Sequence, residues 1–355
     1  MGLLKLDGFE TYGPDGTHDT DPTLARRIGM RWGQVHGYVS SKANSPGPSA
    51  NHPRGSGLNW EVYGYNGTAW YTWIGQKSSI IFGFAWRANL NPGIGSIMSF
   101  KSSGTAVLSL MLSRNGVIWI EDYNRNSAGA SAKRLIHTRR WNYFEIKATF
   151  HPTAGTVVVH HNGLEVINTT GNDFGNSYYA DNLQLTYGSS VRGDQSFDDM
   201  YLIDPNTSGA SDFLGPIVVR SLKPTSDTAT ADFTPSEGSD HFAVVDDDRA
   251  DGATYLESST INDDDLFGFA SIPSEIATLK GVSLETASAV TGSQPKETVS
   301  LCKSGSAALQ EIESQTTIAV DFEQFDSIIE DDPDTGVPWT ISGLNAAQFG
   351  VRHKG

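Results

Sequence analysis

Cysteine is almost absent from this sequence of 355 residues, because Cys302 is its one thiol. A lone cysteine excludes an intramolecular disulfide, a CxxC redox pair and a zinc site built from several cysteines. Long apolar runs are missing as well. The longest, such as residues 80–86, have seven residues, whereas a membrane-spanning helix needs roughly 20. Membrane insertion is therefore not expected.

Basic residues are scarce, with 25 Lys and Arg against 41 Asp and Glu and a net charge of −16. This balance argues against binding to nucleic acid or to anionic membranes, because neutralising phosphates needs a basic surface. Asp7 and Glu10 lie where a signal peptide would have its apolar stretch. Export by a classical signal peptide is therefore not expected either.

The acidic charge is confined to the second part of the chain. Residues 1–204 hold 17 basic and 16 acidic residues, whereas residues 205–355 hold 8 and 25, so the net charges are +1 and −17. Seven of the eight tryptophans lie in the first part. Residues 205–212 have the small, polar composition of a turn-rich connection. The sequence therefore predicts two domains, 1–204 and 205–355.

Strand periodicity dominates the first part. Large side chains recur at every second position from Ile80 to Trp86, which is the period of a pleated strand. Asn-Gly pairs at positions 115–116 and 162–163 separate further apolar runs, and this is a strong hairpin signal. Other strands are predicted in residues 106–112, 117–120, 143–150, 156–159, 164–167, 183–187 and 197–203. Short strands at this spacing, without helical periodicity, predict an antiparallel sandwich.

The second part also has mainly strand-like segments, separated by polar turns. The predicted strands are residues 217–222, 241–245, 266–270, 282–286, 298–302, 317–325 and 349–352. Residues 274–279 and 342–348 are candidate short helices, the latter behind a serine cap. The prediction is a second, smaller β-sandwich.

Signatures of common enzymes are absent. The sequence has no GxSxG elbow, no phosphate-binding loop, no GxGxxG and no HExxH motif. His160 and His161 are adjacent in a predicted strand and point to opposite faces, so they do not chelate one ion together. No cofactor is implied by these patterns, and the sequence is not expected to encode an enzyme.

Acidic runs raise the question of calcium, because hard cations bind clustered oxygens. Residues 246–252 do not have the spacing of an EF-hand loop: the third position from Asp247 is Arg249 and the twelfth is Ser258. A solvated acidic surface is the favoured interpretation of this run. Asp198 and Asp199 are weak candidate calcium ligands, and a turn at a strand end is the favoured alternative for them.

An aromatic cluster in residues 60–73 is the richest candidate for a binding surface. Its candidate contact residues are Trp60, Tyr63, Tyr65, Trp70, Tyr71 and Trp73. Flat rings beside Asn and Thr suit glycans, because sugar C–H faces pack on rings while hydroxyls form hydrogen bonds. Aromatic residues also dominate cores and interfaces. Core or subunit contact is therefore the favoured interpretation and a glycan site the alternative, with Tyr178 and Tyr179 carrying a weaker version of the signal.

Several motifs follow one another in an order that resembles a known fold. They are Trp141-Asn142-Tyr143-Phe144-Glu145-Ile146-Lys147, Gly155-Thr156-Val157-Val158-Val159 with Asn162-Gly163, and Phe197-Asp198-Asp199-Met200-Tyr201-Leu202-Ile203-Asp204. This series resembles the concanavalin A-like (laminin G-like) jelly roll. Segments of the second part are similar to bacteriophage and prophage virion proteins that append a second β-domain to such a jelly roll: 212–215, 234–236, 240–242, 255–258, 339–340 and 349–352.

The resemblance implies an all-β chain, with an N-terminal concanavalin A-like jelly-roll sandwich followed by a second, smaller β-sandwich. It also implies a non-enzymatic structural component of a virion, associated with the tail, a tail fibre or the baseplate, and assembled in the cytoplasm of the bacterial host. The expected partners are other virion proteins and further copies of the chain. The alternatives are a glycan-binding adhesin that attaches to host surface polysaccharide, and a capsid decoration protein.

Catalysis is the third alternative, because some relatives of this fold are glucanases. Those enzymes carry a Glu-x-Asp-x-(x)-Glu strand that places two carboxylates on one face as acid and nucleophile. This spacing does not occur in the sequence, so no catalytic residue is assigned. A fold does not determine a function by itself.

Overall fold

A computed structural model describes residues 1–12, 32, 47–49, 59–62, 69–88, 95–131, 134–137, 139–186, 195–247, 250 and 252–355. Over these residues the regular secondary structure is almost entirely β-strand, and the strand pairs are antiparallel. The chain forms two compact units, Met1–Val219 and Arg220–Gly355. None of the described helices is long and apolar enough to cross a membrane.

The described part of the first unit has fourteen strands and a 3₁₀ turn at Glu10–Tyr12. The strands are β1 (Leu3–Asp7), β2 (Gly47–Ser49), β3 (Asn59–Val62), β4 (Ala69–Lys77), β5 (Ser79–Ala88), β6 (Gly95–Ser102), β7 (Thr105–Leu112), β8 (Ile118–Glu121), β9 (Ser127–Ala130), β10 (Asn142–Thr149), β11 (Gly155–His161), β12 (Leu164–Asn172), β13 (Ala180–Thr186) and β14 (Gln195–Ile203).

These strands form two sheets that enclose one core. The eight-stranded sheet has the order β12-β11-β10-β5-β14-β3-β2, with β1 also paired to β14, and the six-stranded sheet has the order β4-β13-β6-β7-β8-β9. Phe82 and Phe84 of β5 stack with ring centroids 4.9 Å apart, and Phe84 lies 5.6 Å from Phe144 of β10. Phe100 and Leu183 of the six-stranded sheet belong to the same buried cluster. The predicted jelly-roll sandwich is confirmed.

The tight turns follow the sequence signals closely. Asn162 and Gly163 between β11 and β12 have φ values of 50° and 80°, and two residues of positive φ are what a two-residue hairpin of this twist requires. Gly116 between β7 and β8 has φ of 78°. His160 pairs with Glu145 and His161 with Phe144, so the two histidines lie on opposite faces as predicted.

The segment after β14 packs on the first unit. Its backbone donates hydrogen bonds from Gly215 to Glu145 Oε1 at 2.8 Å and from Val219 to Asp199 Oδ1 at 2.7 Å. The charge balance predicts a boundary at Asp204, whereas the compact unit extends to Val219. The buried carboxylates of Glu145 and Asp199 accept backbone N–H groups of this segment. These hydrogen bonds attach it to the first unit, although its composition is typical of a connection between domains.

The second unit has eleven strands among its described residues. They are β15 (Pro224–Ala231), β16 (Thr234–Pro235), β17 (Leu256–Glu257), β18 (Asp264–Phe269), β19 (Val282–Ser288), β20 (Lys296–Lys303), β21 (Gln310–Thr317), β22 (Glu323–Ile329), β23 (Asp331–Asp332), β24 (Val337–Pro338) and β25 (Gln348–His353). A 3₁₀ turn spans Phe242–Val244, and one α-helix, α1, spans Ile341–Ala346.

A five-stranded sheet of order β15-β18-β25-β20-β21 forms the frame of this unit. The β19–β22 pair covers one of its faces, where Leu284 and Ile329 pack in one cluster with Cys302 and Phe349. The other face carries a second cluster around Leu301. The predicted smaller β-sandwich is confirmed, with Cys302 as a fully buried core residue.

Four predicted elements of the chain after Asp204 are wrong. Residues 241–245 form the 3₁₀ turn instead of a strand, because the carboxylate of Asp227 accepts the backbone N–H groups of His241 and Phe242 at 3.0 and 2.7 Å. Residues 217–222 and 274–279 form no regular element. The strand predicted over residues 317–325 is divided between the end of β21 and the start of β22.

The helix predicted at residues 342–348 exists as α1, shifted towards the N-terminus. Its cap is Thr340, whose Oγ1 accepts the backbone N–H of Gly343 at 3.0 Å. A threonine oxygen satisfies an otherwise unpaired N–H of the first turn as a serine oxygen would. The prediction of a hydroxyl cap was therefore correct in residue type, but the cap is Thr340 and not a serine.

Candidate functional site

The aromatic cluster of residues 60–73 does not form one continuous strand. Trp60 lies in β3 of the eight-stranded sheet, whereas Trp70, Tyr71 and Trp73 lie in β4 of the six-stranded sheet. Tyr63 and Tyr65 lie outside the described residues, and of the remaining four only the side chain of Trp73 is described. The chain thus divides the predicted cluster between two layers, and Trp73 is the residue whose environment defines a site.

Trp73 faces away from the core. Its neighbour Thr72 is fully buried and pairs with Leu183 of the core, so alternation turns the Trp73 side chain outwards, where it is 49% exposed. Trp73 pairs with Asn182 of β13, and Asn182 pairs with Lys101 of β6. An exposed indole, an amide and an ammonium group therefore form one row across three strands.

A second row of polar side chains runs beside the first. Gln184 of β13 pairs with Ser99 of β6, Ser99 with Ser109 of β7, and Ser109 with Glu121 of β8. The hydroxyls of Ser99 and Ser109 are hydrogen-bonded at 2.7 Å. The row thus combines amide, hydroxyl and carboxylate groups on the side of the sheet opposite the apolar core, where Ser109 and Glu121 are partly exposed and Gln184 and Ser99 are buried.

Trp119 ends the polar surface on β8. It is half-buried, and its Nε1 donates to Oε1 of Glu121 at 3.3 Å. We call the outward surface of the six-stranded sheet the polar sheet face and define it by eight side chains: Trp73, Asn182, Lys101, Gln184, Ser99, Ser109, Glu121 and Trp119. It carries two indoles, several neutral hydrogen-bonding groups and one charge of each sign.

Burial lowers the pKa of the Lys101 ammonium group, which lies partly shielded among the strands of this face. An ammonium group with three donors and reduced solvation suits neutral oxygen acceptors such as hydroxyls. Glu121 supplies acceptors on the other side of the face. The arrangement can therefore both donate to and accept from a ligand that carries many hydroxyl groups.

Asp198 and Asp199, the candidate calcium ligands, lie inside β14 rather than at its start. Oδ1 of Asp198 accepts the backbone N–H of Asp199 at 2.8 Å, and Asp199 has a positive φ of 48°. The register of β14 against β5 shifts between Asp198 and Tyr201. Both carboxylates are buried: that of Asp198 bonds within the bulge, whereas that of Asp199 accepts the backbone N–H of Val219.

The described part of the chain shows no metal-binding cluster. Among those residues, no group of three or more His, Cys, Asp or Glu side chains is arranged to hold an ion. Calcium binding by Asp198 and Asp199 stays a prediction.

Most of the polar sheet face was not predicted from the sequence. Gln184 alternates with Leu183 and Leu185 in the strand predicted over residues 183–187, so its orientation away from the core was available from periodicity. Asn182 directly precedes that predicted strand. The position of both residues beside Trp73 was not available from periodicity, because it depends on the pairing of β13 with both β4 and β6.

Comparison with known proteins shows no family for this chain. No family model matches the sequence, and no curated protein matches it significantly. Solved structures with a similar fold include the cellulose-induced protein Cip1, at 12% identity over 60% of this chain and 100% of that protein, with a TM-score of 0.43. A Bacillus subtilis protein of unknown function with a galectin-like fold has 11% identity over 57% of this chain and 96% of its own, with a TM-score of 0.38.

The carbohydrate-binding module CBM66 from Bacillus subtilis is also similar, at 9% identity over 49% of this chain and 96% of its own, with a TM-score of 0.33. At these identities and TM-scores the similarity concerns the β-sandwich fold alone. These comparisons do not test the virion resemblance, which stays a prediction.

Proposed function

We propose that this protein is a non-enzymatic glycan-binding protein and that the polar sheet face is its binding site. The observation that carries the proposal is the cross-strand register, which aligns Trp73, Asn182 and Lys101 in one row and Gln184, Ser99, Ser109 and Glu121 in the next. Glycan recognition, which the sequence offered as an alternative, is thereby preferred to a purely structural role.

The chemistry of the face complements a sugar chain. Indole rings pack against the C–H faces of sugars, while amides, hydroxyls and charged groups take hydrogen bonds from and to the sugar hydroxyls. All of these side chains stand on strands rather than on loops, and a rigid frame lowers the entropic cost of binding. The eight-stranded sheet packs against the other side of the six-stranded sheet through the shared core and so supports it.

The size of the face suits an oligosaccharide. Trp73 on β4 and Trp119 on β8 are separated by four strand spacings, which amounts to about 19 Å across the sheet at roughly 4.8 Å per spacing. A single sugar ring does not extend so far. We therefore propose an extended, largely neutral glycan as the ligand.

The number of carboxylates on the polar sheet face favours binding without cleavage. Glycoside hydrolysis usually requires two carboxyl groups about 5–9.5 Å apart. Among the side chains that define the polar sheet face, Glu121 is the one carboxylate. The face therefore lacks an acid–nucleophile or acid–base pair, and we propose that bound glycan is released unchanged.

A glycan array with the full chain tests this function. The proposal predicts binding to extended neutral glycans, loss of signal in Trp73→Ala, and retention of signal in Leu164→Ala, which removes an exposed apolar side chain from β12 of the other sheet. Incubation of the recognised glycan with the protein should release no reducing sugar. No binding to any glycan, or equal signal from both variants, would reject the polar sheet face as the site.

The location of the protein is a separate proposal. The order of motifs similar to phage virion proteins supports a component of a bacteriophage particle, assembled in the host cytoplasm, with other virion proteins and further copies of the chain as partners. A glycan-binding virion protein would act as an adhesin for host surface polysaccharide. Immunogold labelling of intact particles tests the location: label at the tail tip, fibres or baseplate would support it, and no label on any particle would contradict it.

A further inference from the structure

A cleft lies at the end of the first unit where three connections meet, outside the polar sheet face. These connections are β8–β9, β10–β11 and β12–β13. The cleft has a volume of about 260 Å³ and is lined by Tyr123, Asn124, Pro152, Thr153, Asp173, Gly175 and Asn176. Its lining thus combines one aromatic ring with amide, hydroxyl and carboxylate groups.

Asp173 fixes the shape of the cleft by joining two of the connections. Its Oδ2 accepts the side-chain amide of Asn124 at 2.7 Å, and its Oδ1 accepts the backbone N–H of Gly175, also at 2.7 Å. The backbone N–H of Tyr123 donates to the Asp173 carbonyl at 3.1 Å. The β8–β9 and β12–β13 connections are therefore held in one arrangement before any ligand arrives.

The third connection is organised by a histidine. His151 Nδ1 accepts the backbone N–H groups of Thr153 and Ala154 at 3.2 and 3.0 Å. The His151 ring also meets Tyr178 edge-to-face, with ring centroids 5.3 Å apart. Tyr178, part of the weaker aromatic signal of the sequence, is 60% exposed beside this connection.

Tyr123 presents its ring to solvent because of Gly175. A Cβ atom at position 175 would lie 2.9 Å from Cγ of Tyr123, so the ring rests against the bare glycine backbone, which has a positive φ of 66°. Tyr123 is nevertheless 45% exposed. One side of the ring is thus supported by protein while the rest remains open for stacking.

We propose that this cleft is a second saccharide site, which takes one uncharged sugar ring stacked on Tyr123. The volume is below the roughly 300–1,000 Å³ of sites for drug-sized ligands, so a single ring fits and an extended chain does not. Side chains of Asn124, Asn176 and Thr153 provide the amide and hydroxyl groups that sugar hydroxyls bind. The carboxylate of Asp173 disfavours acidic sugars by charge repulsion.

The site differs from the polar sheet face in its residues and in the ligand size, and it does not depend on binding at that face. Sugar binding at the cleft would explain why Tyr123 and Tyr178 are exposed, which a structural role does not. Two sites of different size in one unit would let the protein engage both the interior and a terminal or branching ring of a glycan.

Titration of the full chain with the methyl glycosides of glucose, galactose, mannose and N-acetylglucosamine tests the cleft by backbone amide NMR. At least one glycoside should shift the amides of Asn124, Thr153 and Gly175. Tyr123→Ala should weaken binding by about 2- to 12-fold, the range for loss of one aromatic contact, whereas Tyr123→Phe should retain it. Trp73→Ala should leave it unchanged.

The proposal is overturned if no glycoside shifts the cleft amides, or if Tyr123→Ala binds as tightly as the unaltered protein. It is also overturned if Trp73→Ala abolishes the shifts, because the monosaccharide then binds at the polar sheet face. The glycan array tests the polar sheet face independently of the cleft. Array binding that persists in Tyr123→Ala but disappears in Trp73→Ala would support the proposed function whatever the NMR titration shows for the cleft.

Discussion

The Tyr201 hydroxyl donates a hydrogen bond of 2.5 Å to Oε1 of Glu145, and both side chains are buried on the face of the eight-stranded sheet opposite the core. The same Oε1 accepts the backbone N–H of Gly215, and the Tyr201 oxygen accepts that of Leu214 at 3.2 Å. Burial, reinforced by the charge of Glu145, raises the pKa of the Tyr201 phenol far above its usual range. The phenol therefore stays protonated and holds the segment after β14 in place.

Removing that hydroxyl should destabilise the first unit. Tyr201→Phe leaves the Leu214 N–H and part of the Glu145 carboxylate without their partner, and hydrogen bonds to charged groups contribute about 1.5–3 kcal/mol. Tyr143→Phe is the matched control, because its buried hydroxyl donates to the neutral carbonyl of Asp199 at 3.0 Å. That change should cost about 0.5–1.5 kcal/mol. Urea denaturation measures both, and equal losses would argue against a special role for Glu145.

Gly83 should not tolerate a side chain. A Cβ atom there would overlap the ring of Tyr201, which covers the Gly83 backbone in the middle of β5. Gly83→Ala should therefore cost about 1–3 kcal/mol or more, since the buried Tyr201 ring is held by its hydrogen bonds and has no room to shift. Gly292→Ala is the control: nothing lies within 4 Å of the added atom, and the change should stay within about 0.5 kcal/mol. Scanning calorimetry that shows similar effects for both would contradict this packing.

Local patterns were sufficient for much of the first unit. The alternation from Ile80 to Trp86 and the Asn162–Gly163 turn depend on neighbouring residues alone, and β5 and the β11–β12 hairpin have the predicted form. Such elements are predictable because strand period and turn chemistry are properties of a few consecutive residues. The second unit departs from its patterns at places where a distant side chain replaces a backbone partner, as Asp227 does for His241.

The candidate site was predictable only in part for the same reason. Trp73 was identified from composition, but the polar sheet face exists because β13 lies between β4 and β6. Cross-strand neighbours far apart in sequence carry no local signal of their pairing. Tyr123 illustrates the same limit, since the ring is exposed on a surface formed by the backbone of Gly175.

Cys302 should be inert to thiol reagents in the folded protein. Burial raises the pKa of its thiol to about 12, and the thiolate is the reactive form. A disulfide reagent at pH 8 should label it only when the second unit opens, at a rate that increases with urea. Rapid labelling in the absence of denaturant would contradict its place in the core.

The same thiol should make the second unit less stable at high pH. Between the unfolded pKa of about 9 and the folded value near 12, only the unfolded chain loses the proton, so stability falls as pH rises, by up to about 1.4 kcal/mol per pH unit. Cys302→Ala lacks this contribution. The difference in unfolding free energy between the two proteins should therefore shrink across this window, and a pH-independent difference would refute the assignment.

Glycan length should govern affinity at the polar sheet face. If the ligand extends from Trp119 to Trp73, over about 19 Å, affinity should rise along a ladder of oligosaccharides from the glycan that the array identifies and then level off once both rings are reached. Trp73→Ala and Trp119→Ala should each cost about 0.5–1.5 kcal/mol with the longest members.

The shortest members of the ladder give the sharper test, by calorimetric titration. A disaccharide reaches only one of the two indoles, so its affinity should depend on one tryptophan and be indifferent to the other. Leu164→Ala should leave the whole ladder unchanged, because that side chain lies on β12 of the eight-stranded sheet. An affinity that does not vary with length, or a disaccharide that responds equally to both tryptophan changes, would mean that the two rings do not belong to one extended site.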